Sequence, residues 1–248
     1  MYLSINFLLS NRFYFQIPIL YFPKSLLLKV FAFFIFPTCA GHCCLEICPL
    51  GGNEMTPEER WGRVRGIAAD AYRDGIDMLA CVEILERGNR EETFVPIRDA
   101  GGGLAMNRIR DALFWRILFL AMRAYAPVRK GDKQLRAAFE LLRDPEVSRL
   151  AYEENRADLD RAVDLWKLAE TDERNASLSH YRNKAAAHWS ELDDGRELPQ
   201  INDLFGFARS TATIAEKLAA GTGVVMIDID HQVEAFRESA DALWSRWA

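Results

Sequence analysis

The stretch of the chain that could most readily do chemistry runs from Ser179 to Trp189 and reads Ser-His-Tyr-Arg-Asn-Lys-Ala-Ala-Ala-His-Trp. It combines a guanidinium, an ammonium, an amide and two imidazole groups with small alanines that would let another helix approach closely. On an α-helix, His188 lies about 40° round from Lys184 and about 120° round from Arg182, with about 9 Å of rise between His188 and Arg182. A long Arg side chain can cross that gap, so a guanidinium and an imidazole can face one phosphate group.

Such a pair suits cleavage of RNA through attack by its own 2′-hydroxyl group. Histidine changes its charge near neutral pH, so His188 can act as a general base or a general acid. Arg182 can stabilise the extra negative charge that develops on phosphorus. A purely structural interpretation also exists, because Arg and His often share a helix without doing chemistry. In that case His188 lies beside Trp189, and Arg182 pairs with an acidic neighbour, Asp172 or Glu173.

The motif also resembles a known signature. Its spacing Arg-x5-His, with Asn183 directly after the Arg and an Ala directly before the His, resembles that of the HEPN superfamily. The sequence is similar in particular to the abortive-infection branch of the AbiU type, which often reads Arg-Asn-Lys…Ala-His. The resemblance extends over residues 104–248 and includes an apolar second helix and the Leu-rich segment Gln134 to Asp144.

This resemblance implies an α-helical domain that dimerises by packing its motif helices together, forming a composite ribonuclease site without a metal ion or other cofactor. His188 matches the catalytic histidine, Arg182 the arginine that directs the phosphate, and Asn183 the polar residue that helps to place them. Lys184 and Tyr181 are candidates for RNA binding or positioning only because they adjoin the motif. Proteins of this type commonly act in toxin–antitoxin, anti-phage or other RNA-directed defence.

Other residues that could attract a functional interpretation are expected to be structural. His180 is expected at the surface, and His231 in a surface or helix-capping role. Cys81 lies next to an apolar helical stripe and is predicted to be a core residue. Trp115 and Trp166 lie on apolar helical faces and are predicted to be core residues, not platforms for nucleobases.

The chain has 248 residues, and its content of charged residues rises sharply at about Met55. Of its 31 basic and 36 acidic residues, three and two lie in residues 1–54, so residues 55–248 carry 28 against 34, a net charge of −6. This charge gives no general attraction to phosphate backbones. Any contact with RNA must therefore be local, and no reader of DNA sequence is indicated.

Residues 1–54 form a hydrophobic N-terminal segment with three possible interpretations. As a membrane anchor, its apolar stretches Phe13 to Phe22 and Leu26 to Phe36 are each shorter than the ~20 residues that a spanning helix needs. As a cleaved secretory signal, it offers Thr38-Cys39-Ala40 as a small-residue cleavage site, although the apolar stretch begins late.

The third interpretation is that synthesis normally begins at Met55. The codons for Gly51-Gly52 can contain a purine-rich ribosome-binding sequence at a suitable distance before it. The composition then changes at once to that of an ordinary soluble protein, for which a cytoplasmic location is expected. A genuine N-terminal segment would instead anchor the protein to a membrane.

Four of the five cysteines lie in that segment, and only Cys81 lies beyond it. The cluster Cys-x3-Cys-Cys-x3-Cys with His42 lacks the paired Cys-x2-Cys spacing of zinc sites, so no metal site is expected. A single cysteine in the remainder argues against a disulfide framework and fits a reducing compartment.

From Met55 onward, apolar residues recur at helical spacing, and no sustained two-residue alternation indicates a sheet. The sequence predicts an all-α fold, a single bundle of about five to seven helices spanning residues 55–248. The first helix starts in a capping box at Thr56 to Glu59 and ends near Gly88. Residues 89–103 are expected to be a loop.

Six further helices are predicted after that loop. The second, residues 104–125, is apolar nearly all round and is expected at the centre of the bundle. The third is capped by Asp132, and Asp144-Pro145 interrupts the chain after it. The others are a fourth around Leu159 to Trp166, a fifth over residues 173–190 with the motif, a sixth from Leu204 to Gly221, and a last one from Val233 to Trp247.

The leading functional hypothesis is an RNA-cleaving HEPN-type toxin or defence effector that acts as a homodimer. One alternative is a non-catalytic helical module that binds RNA or a partner protein, such as a nucleotidyltransferase-type antitoxin. The other is a membrane-tethered helical protein, which requires residues 1–54 to be part of the native chain.

Overall fold

The computed structural model describes residues 55–129, 131–187, 199–224 and 228–246, and the regular structure in these ranges is all helical. This confirms the predicted all-α fold; the hydrophobic segment 1–54 lies outside the described residues. The α-helices are α1 (Pro57–Gly88), α2 (Glu91–Ile97), α3 (Gly103–Ala124), α4 (Leu135–Leu142), α5 (Pro145–Ser148), α6 (Arg156–Glu170), α7 (Glu173–Tyr181), α8 (Ile201–Gly221) and α9 (Ile229–Trp244). Two π-helical segments, Arg98–Gly102 and Arg182–Ala187, and a 3-10 turn, Glu153–Asn155, complete the described helical structure.

The start of α1 is the predicted capping box. The Thr56 side chain accepts a hydrogen bond from the Glu59 backbone N–H at 3.2 Å, and Glu59 accepts one from the Thr56 N–H at 2.8 Å. Pro57 occupies the first turn, where its missing N–H costs no helical hydrogen bond. These local signals define the helix start in the sequence and in the structure alike.

The centre of the bundle is α1, which packs against α3, α4, α8 and α9. The prediction that the apolar helix α3 is central is wrong. Phe119 and Ile109 on α3 are 48% and 46% exposed, so one face of that helix is left uncovered by the described part of the chain. Its all-round hydrophobicity therefore does not reflect all-round burial.

Residues 89–103 are not the predicted loop. Glu91–Ile97 forms α2, and Arg98–Gly102 continues it as a π-helical turn into α3. Thr93 and Ile97 are buried, and this burial stabilises a helix in spite of Pro96 within it. Gly101 has a φ of 84°, a conformation that glycine adopts without strain, and the helical path is kinked there.

The start of α4 differs in one detail from the prediction. Its N-cap residue is Gln134, whereas Asp132 accepts the backbone N–H of Arg129 at 2.7 Å in the preceding turn. That turn contains Gly131 with a φ of 89°. The predicted apolar face of α4 is confirmed: Leu135, Ala138, Phe139 and Leu142 are all buried.

The interior beside α6 and α8 contains a stack of three aromatic rings. Trp166 lies between Tyr125, with ring centroids 4.8 Å apart, and Phe139, at 4.6 Å. The Tyr125 hydroxyl shares a hydrogen bond with the Thr211 hydroxyl at 3.2 Å, and burial raises the pKa of Tyr125 to about 12. Trp166 is thus the core residue that the sequence predicts.

The end of α8 packs against the start of α6 at very short range. A Cβ atom added to Gly221 would lie 2.5 Å from both the backbone N and the Cα of Leu159. Only a residue without a side chain allows this approach. A smaller apolar cluster, separate from the main core, joins α9 to the region of α2 and α3 through Ile97, Met106, Ala240 and Trp244.

Across the described ranges, no helix has the length and apolar character needed to cross a membrane.

Candidate functional site

The motif begins at the end of α7 and passes into a π-helical turn. Asp172 starts α7 by accepting the Arg174 backbone N–H at 2.9 Å, and the regular α-helix ends at Tyr181. Arg182–Ala187 is π-helical, so the predicted continuous α-helix through residue 190 is wrong over this stretch. The angles expected between Arg182 and the residues after it do not apply, because π-helical hydrogen bonds join residues five apart. His188 lies outside the described residues.

Tyr181 anchors the start of this turn in an aromatic cluster on α3. Its ring is parallel to that of Trp115, with centroids 5.7 Å apart, and meets Phe114 edge-on at 6.1 Å. Tyr181 is only 8% exposed, and burial raises its pKa, with a further increase from the charge of Asp111. A ring packed in this way fixes the position of the neighbouring backbone and leaves little of its surface for a ligand.

The three polar residues after Tyr181 differ in their surroundings. Asn183 is exposed, whereas Arg182 and Lys184 are half-buried. The Nε atom of Arg182 is enclosed and has no hydrogen-bond partner within the part of the chain that the structure describes. Asp172, one of its candidate acidic partners, instead forms an ion pair with Arg174 at 2.6 Å.

His180 is not the surface residue expected from the sequence. It is half-buried, and its Nε2 atom is inaccessible to solvent. Its neighbours in α7 both pack against α3: Tyr181 lies in the aromatic cluster, and the Ser179 hydroxyl contacts the sulfur of Met122 at 3.3 Å. His231 is exposed, as predicted, and Asp228 caps α9 in its place.

Asp111 on α3 is a residue near the motif that the sequence interpretation missed. Burial raises the pKa of its carboxyl group, against the lowering effect of Arg108 at 3.6 Å and of Arg110. Burial also lowers the pKa of Arg110, which lies 5.1 Å above the Phe94 ring. Asp111 is the only acidic residue in α3. A single carboxyl group in an otherwise apolar helix was the sequence feature that could have identified it.

The outward face of α3 beside this cluster is unusually apolar. Leu104, Ile109 and Phe119 are exposed. Trp115 packs against the main core, as predicted, although it is only half-buried there. Arg116 on the same helix does not cover these side chains, because Asp77 on α1 holds it in an ion pair at 2.7 Å. Arg123 is held in the same way by Asp74.

No protein-family model matches the chain, and neither a curated protein nor a solved structure is significantly similar to it. The HEPN resemblance therefore stays a prediction from the motif. Within the described ranges, no group of three or more His, Cys, Asp or Glu side chains could hold a metal ion. The cysteine cluster of residues 39–48 lies outside those ranges.

Replacing Tyr181 by Leu is expected to lower the free energy of unfolding by about 1.5 kcal/mol, because it removes two aromatic contacts. Tyr181→Phe keeps both ring contacts and should leave stability nearly unchanged. Urea denaturation of the two variants beside the native chain measures the difference. Equal losses in both would mean that the hydroxyl group, and not the ring packing, stabilises this helix end.

Proposed function

We propose that the chain is a metal-independent endoribonuclease of a toxin–antitoxin or anti-phage defence system, located in the cytoplasm and active as a homodimer. The observation that carries this proposal is the π-helical turn Arg182–Ala187, which follows α7 at the Arg-x5-His motif. Single π-helical turns inside helices are rare and occur frequently at functional sites. The aromatic cluster around Tyr181 holds the start of this turn against α3.

In the proposed reaction, the 2′-hydroxyl oxygen of RNA attacks the adjacent phosphorus, and the bond from phosphorus to the 5′ oxygen breaks. His188 takes the proton of the 2′-hydroxyl group or supplies one to the leaving oxygen, and its counterpart in the second chain does the other. Arg182 stabilises the additional negative charge on the phosphoryl oxygens. Asn183 and Lys184 bind the neighbouring phosphate or sugar groups. The products are a 2′,3′-cyclic phosphate and a 5′-hydroxyl end.

A half-buried guanidinium is a suitable group for this task. The enclosed Nε of Arg182 has lost water without gaining a described hydrogen-bond partner, which favours an anionic ligand at this side chain. Because residues 55–248 are acidic overall, such a local group has to supply the attraction that the net charge does not.

The experiment that tests the proposal is a cleavage assay on the purified chain with several classes of RNA in the presence of EDTA. The double variant Arg182→Ala/His188→Ala, purified in parallel, measures contaminating nucleases. Fragments with 2′,3′-cyclic phosphate ends from the native chain alone support the proposal. Cleavage by both preparations, dependence on added metal, or no cleavage by a folded dimer on any RNA counts against it.

The uncovered face of α3 supports the homodimer. Three of the exposed large apolar side chains lie on this one helix, namely Leu104, Ile109 and Phe119, and exposed apolar patches commonly mark interaction surfaces. The face adjoins the motif, because Trp115 contacts both Phe119 and Tyr181. A second chain packed there would bring two copies of the motif close together.

Replacing Phe119 by Glu is therefore expected to raise the dissociation constant of the dimer by about tenfold or more, since it places a charge in an apolar contact. Leu168→Glu is the matched control, because Leu168 is 67% exposed on α6 and lies outside this face. Analytical ultracentrifugation over a range of concentrations measures both constants. Equal effects of the two substitutions, or a monomeric native chain, would contradict the proposed interface.

The apolar face of α3 also supports the second candidate function, a non-catalytic helical module that binds a partner protein such as an antitoxin. In that case the double variant Arg182→Ala/His188→Ala binds the partner protein as tightly as the native chain does, and the native chain does not cleave RNA.

A further inference from the structure

The last helix, α9, is attached to the rest of the described structure by a small apolar interface. Of its buried side chains, Ala240 and Trp244 belong to a separate apolar cluster with Ile97 and Met106, and only Ile229 joins the main core. Val233 packs partly against that core. The apolar surface holding α9 is thus a minor fraction of the interior, and its contribution to stability is correspondingly small.

Trp244 is the main apolar anchor. Its indole Nε1 donates a hydrogen bond to the carbonyl oxygen of Ile84 at 3.0 Å. Gly88 permits this approach, because a Cβ atom there would lie 3.0 Å from the Trp244 ring and 2.6 Å from Met106. The anchor therefore depends on one close fit at the end of α1.

A group of charged residues supplies the other attachment. We call it the latch cluster: Glu83 and Arg87 on α1, Arg209 on α8, and Arg237 and Asp241 on α9. Glu83 and Arg87 are 2% and 6% exposed and form an ion pair with each other. Asp241 reaches the Nε of Arg87 at 2.7 Å, and Arg237 reaches Glu83 at 3.5 Å.

The buried charges of the latch cluster stay paired when α9 moves away from α1. Glu83 keeps its ion pair with Arg87, and Arg209 stays within 3.7 Å of it, so no isolated buried charge is left on α1. Breaking a buried ion pair is expensive mainly when one partner remains alone. Opening breaks the ion pairs that Arg237 and Asp241 form with α1 and the one that Asp241 forms with Arg90 at 3.6 Å. All three of these side chains, at 43%, 50% and 48% exposed, are accessible to salt.

We propose that α9 is a strap that opens as a unit while the bundle of α1, α3, α4, α6 and α8 stays folded, and that salt promotes the opening. Opening uncovers the apolar surface of Ile97 and Met106 beside the Gly101 to Gly103 connection. Sub-global opening of this kind is expected where an element has few buried apolar contacts and is held by partly exposed ion pairs. This inference does not depend on the proposed ribonuclease activity.

Hydrogen exchange of the full chain, followed by mass spectrometry, tests the proposal. Amides of α9 should exchange at least tenfold faster than those of α1 and α8, and raising NaCl from about 0.05 to 0.5 M should accelerate α9 alone. The double variant Arg237→Gln/Asp241→Asn should accelerate α9 exchange by about tenfold at low salt and abolish most of the salt effect.

The matched control is Glu238→Gln, which changes one charge on α9 outside the latch cluster. It should leave the exchange of α9 unchanged. Equal exchange of α9 and α1 in the native chain would overturn the strap. If the α9 amides exchange faster than those of α1, but neither salt nor the double substitution changes their rate, the latch cluster does not control the opening.

Discussion

His188→Ala lowers the rate of RNA cleavage by about 10²- to 10⁴-fold in the expected result, because it removes a general acid or base. The same loss should appear in all RNA substrates, since proton transfer belongs to the reaction and not to recognition. His231→Ala is the control, because His231 is exposed on α9. Single-turnover rates, measured with enzyme in excess, separate this effect from a change in binding.

Arg182→Lys should also lower the rate, by about 10²- to 10³-fold, although the charge is kept. Lysine cannot form the two parallel hydrogen bonds that a guanidinium offers to phosphoryl oxygens. Arg65→Lys is the matched control on the exposed surface of α1. If Arg182→Lys and His188→Ala cleave as fast as the native chain, the Arg-x5-His motif is not the catalytic site.

The second large effect concerns stability. Gly221→Ala is expected to lower the free energy of unfolding by about 3 kcal/mol or more, because overpacking of a close contact forces the backbone apart. The new methyl group would lie 2.5 Å from the backbone of Leu159, and no side-chain rotation relieves a clash with backbone. The midpoint of urea denaturation measures the loss.

Gly66→Ala serves as the control, because it is expected to increase stability. Gly66 is exposed within α1, and a Cβ atom there would have no neighbour within 4 Å. The substitution should raise the free energy of unfolding by roughly 0.5–1 kcal/mol, because alanine favours the helix over the unfolded chain. A gain of stability at both glycines would indicate that helix propensity, and not the close approach of α6 and α8, decides the result.

Local signals predicted most helices well, since they act within a few residues. The capping box at Thr56 and the end of α8 at Gly221 are examples, and both agree with the structure. Which helix lies at the centre of the bundle could not be predicted from such local signals. Whether α1 or α3 is central depends on contacts between distant segments, and the uncovered Phe119 has no signature in the hydropathy of its own helix.

The residues of the candidate site stay a prediction from the motif, and their local geometry could not be predicted from it. The motif singles out Arg182, Asn183 and Lys184, but it contains no signal for the π-helical turn that they form directly after Tyr181. The angles between side chains on a helix follow from a fixed number of residues per turn. They cannot be predicted where an α-helix changes into a π-helix, because that number changes. Asp111 was missed because its relation to Tyr181 arises only through the contact of α3 with α7.

The central position of α1 has a consequence for the order in which the protein can fold during synthesis. Its principal partner α8 begins only at Ile201, and α9 follows at Ile229, so a ribosome-bound chain carries α1 for most of translation without them. Contacts between such distant segments slow folding and prolong the exposure of apolar surface. The nascent chain therefore has a long interval in which a chaperone can bind α1, and truncation before α8 would leave a product that cannot bury it.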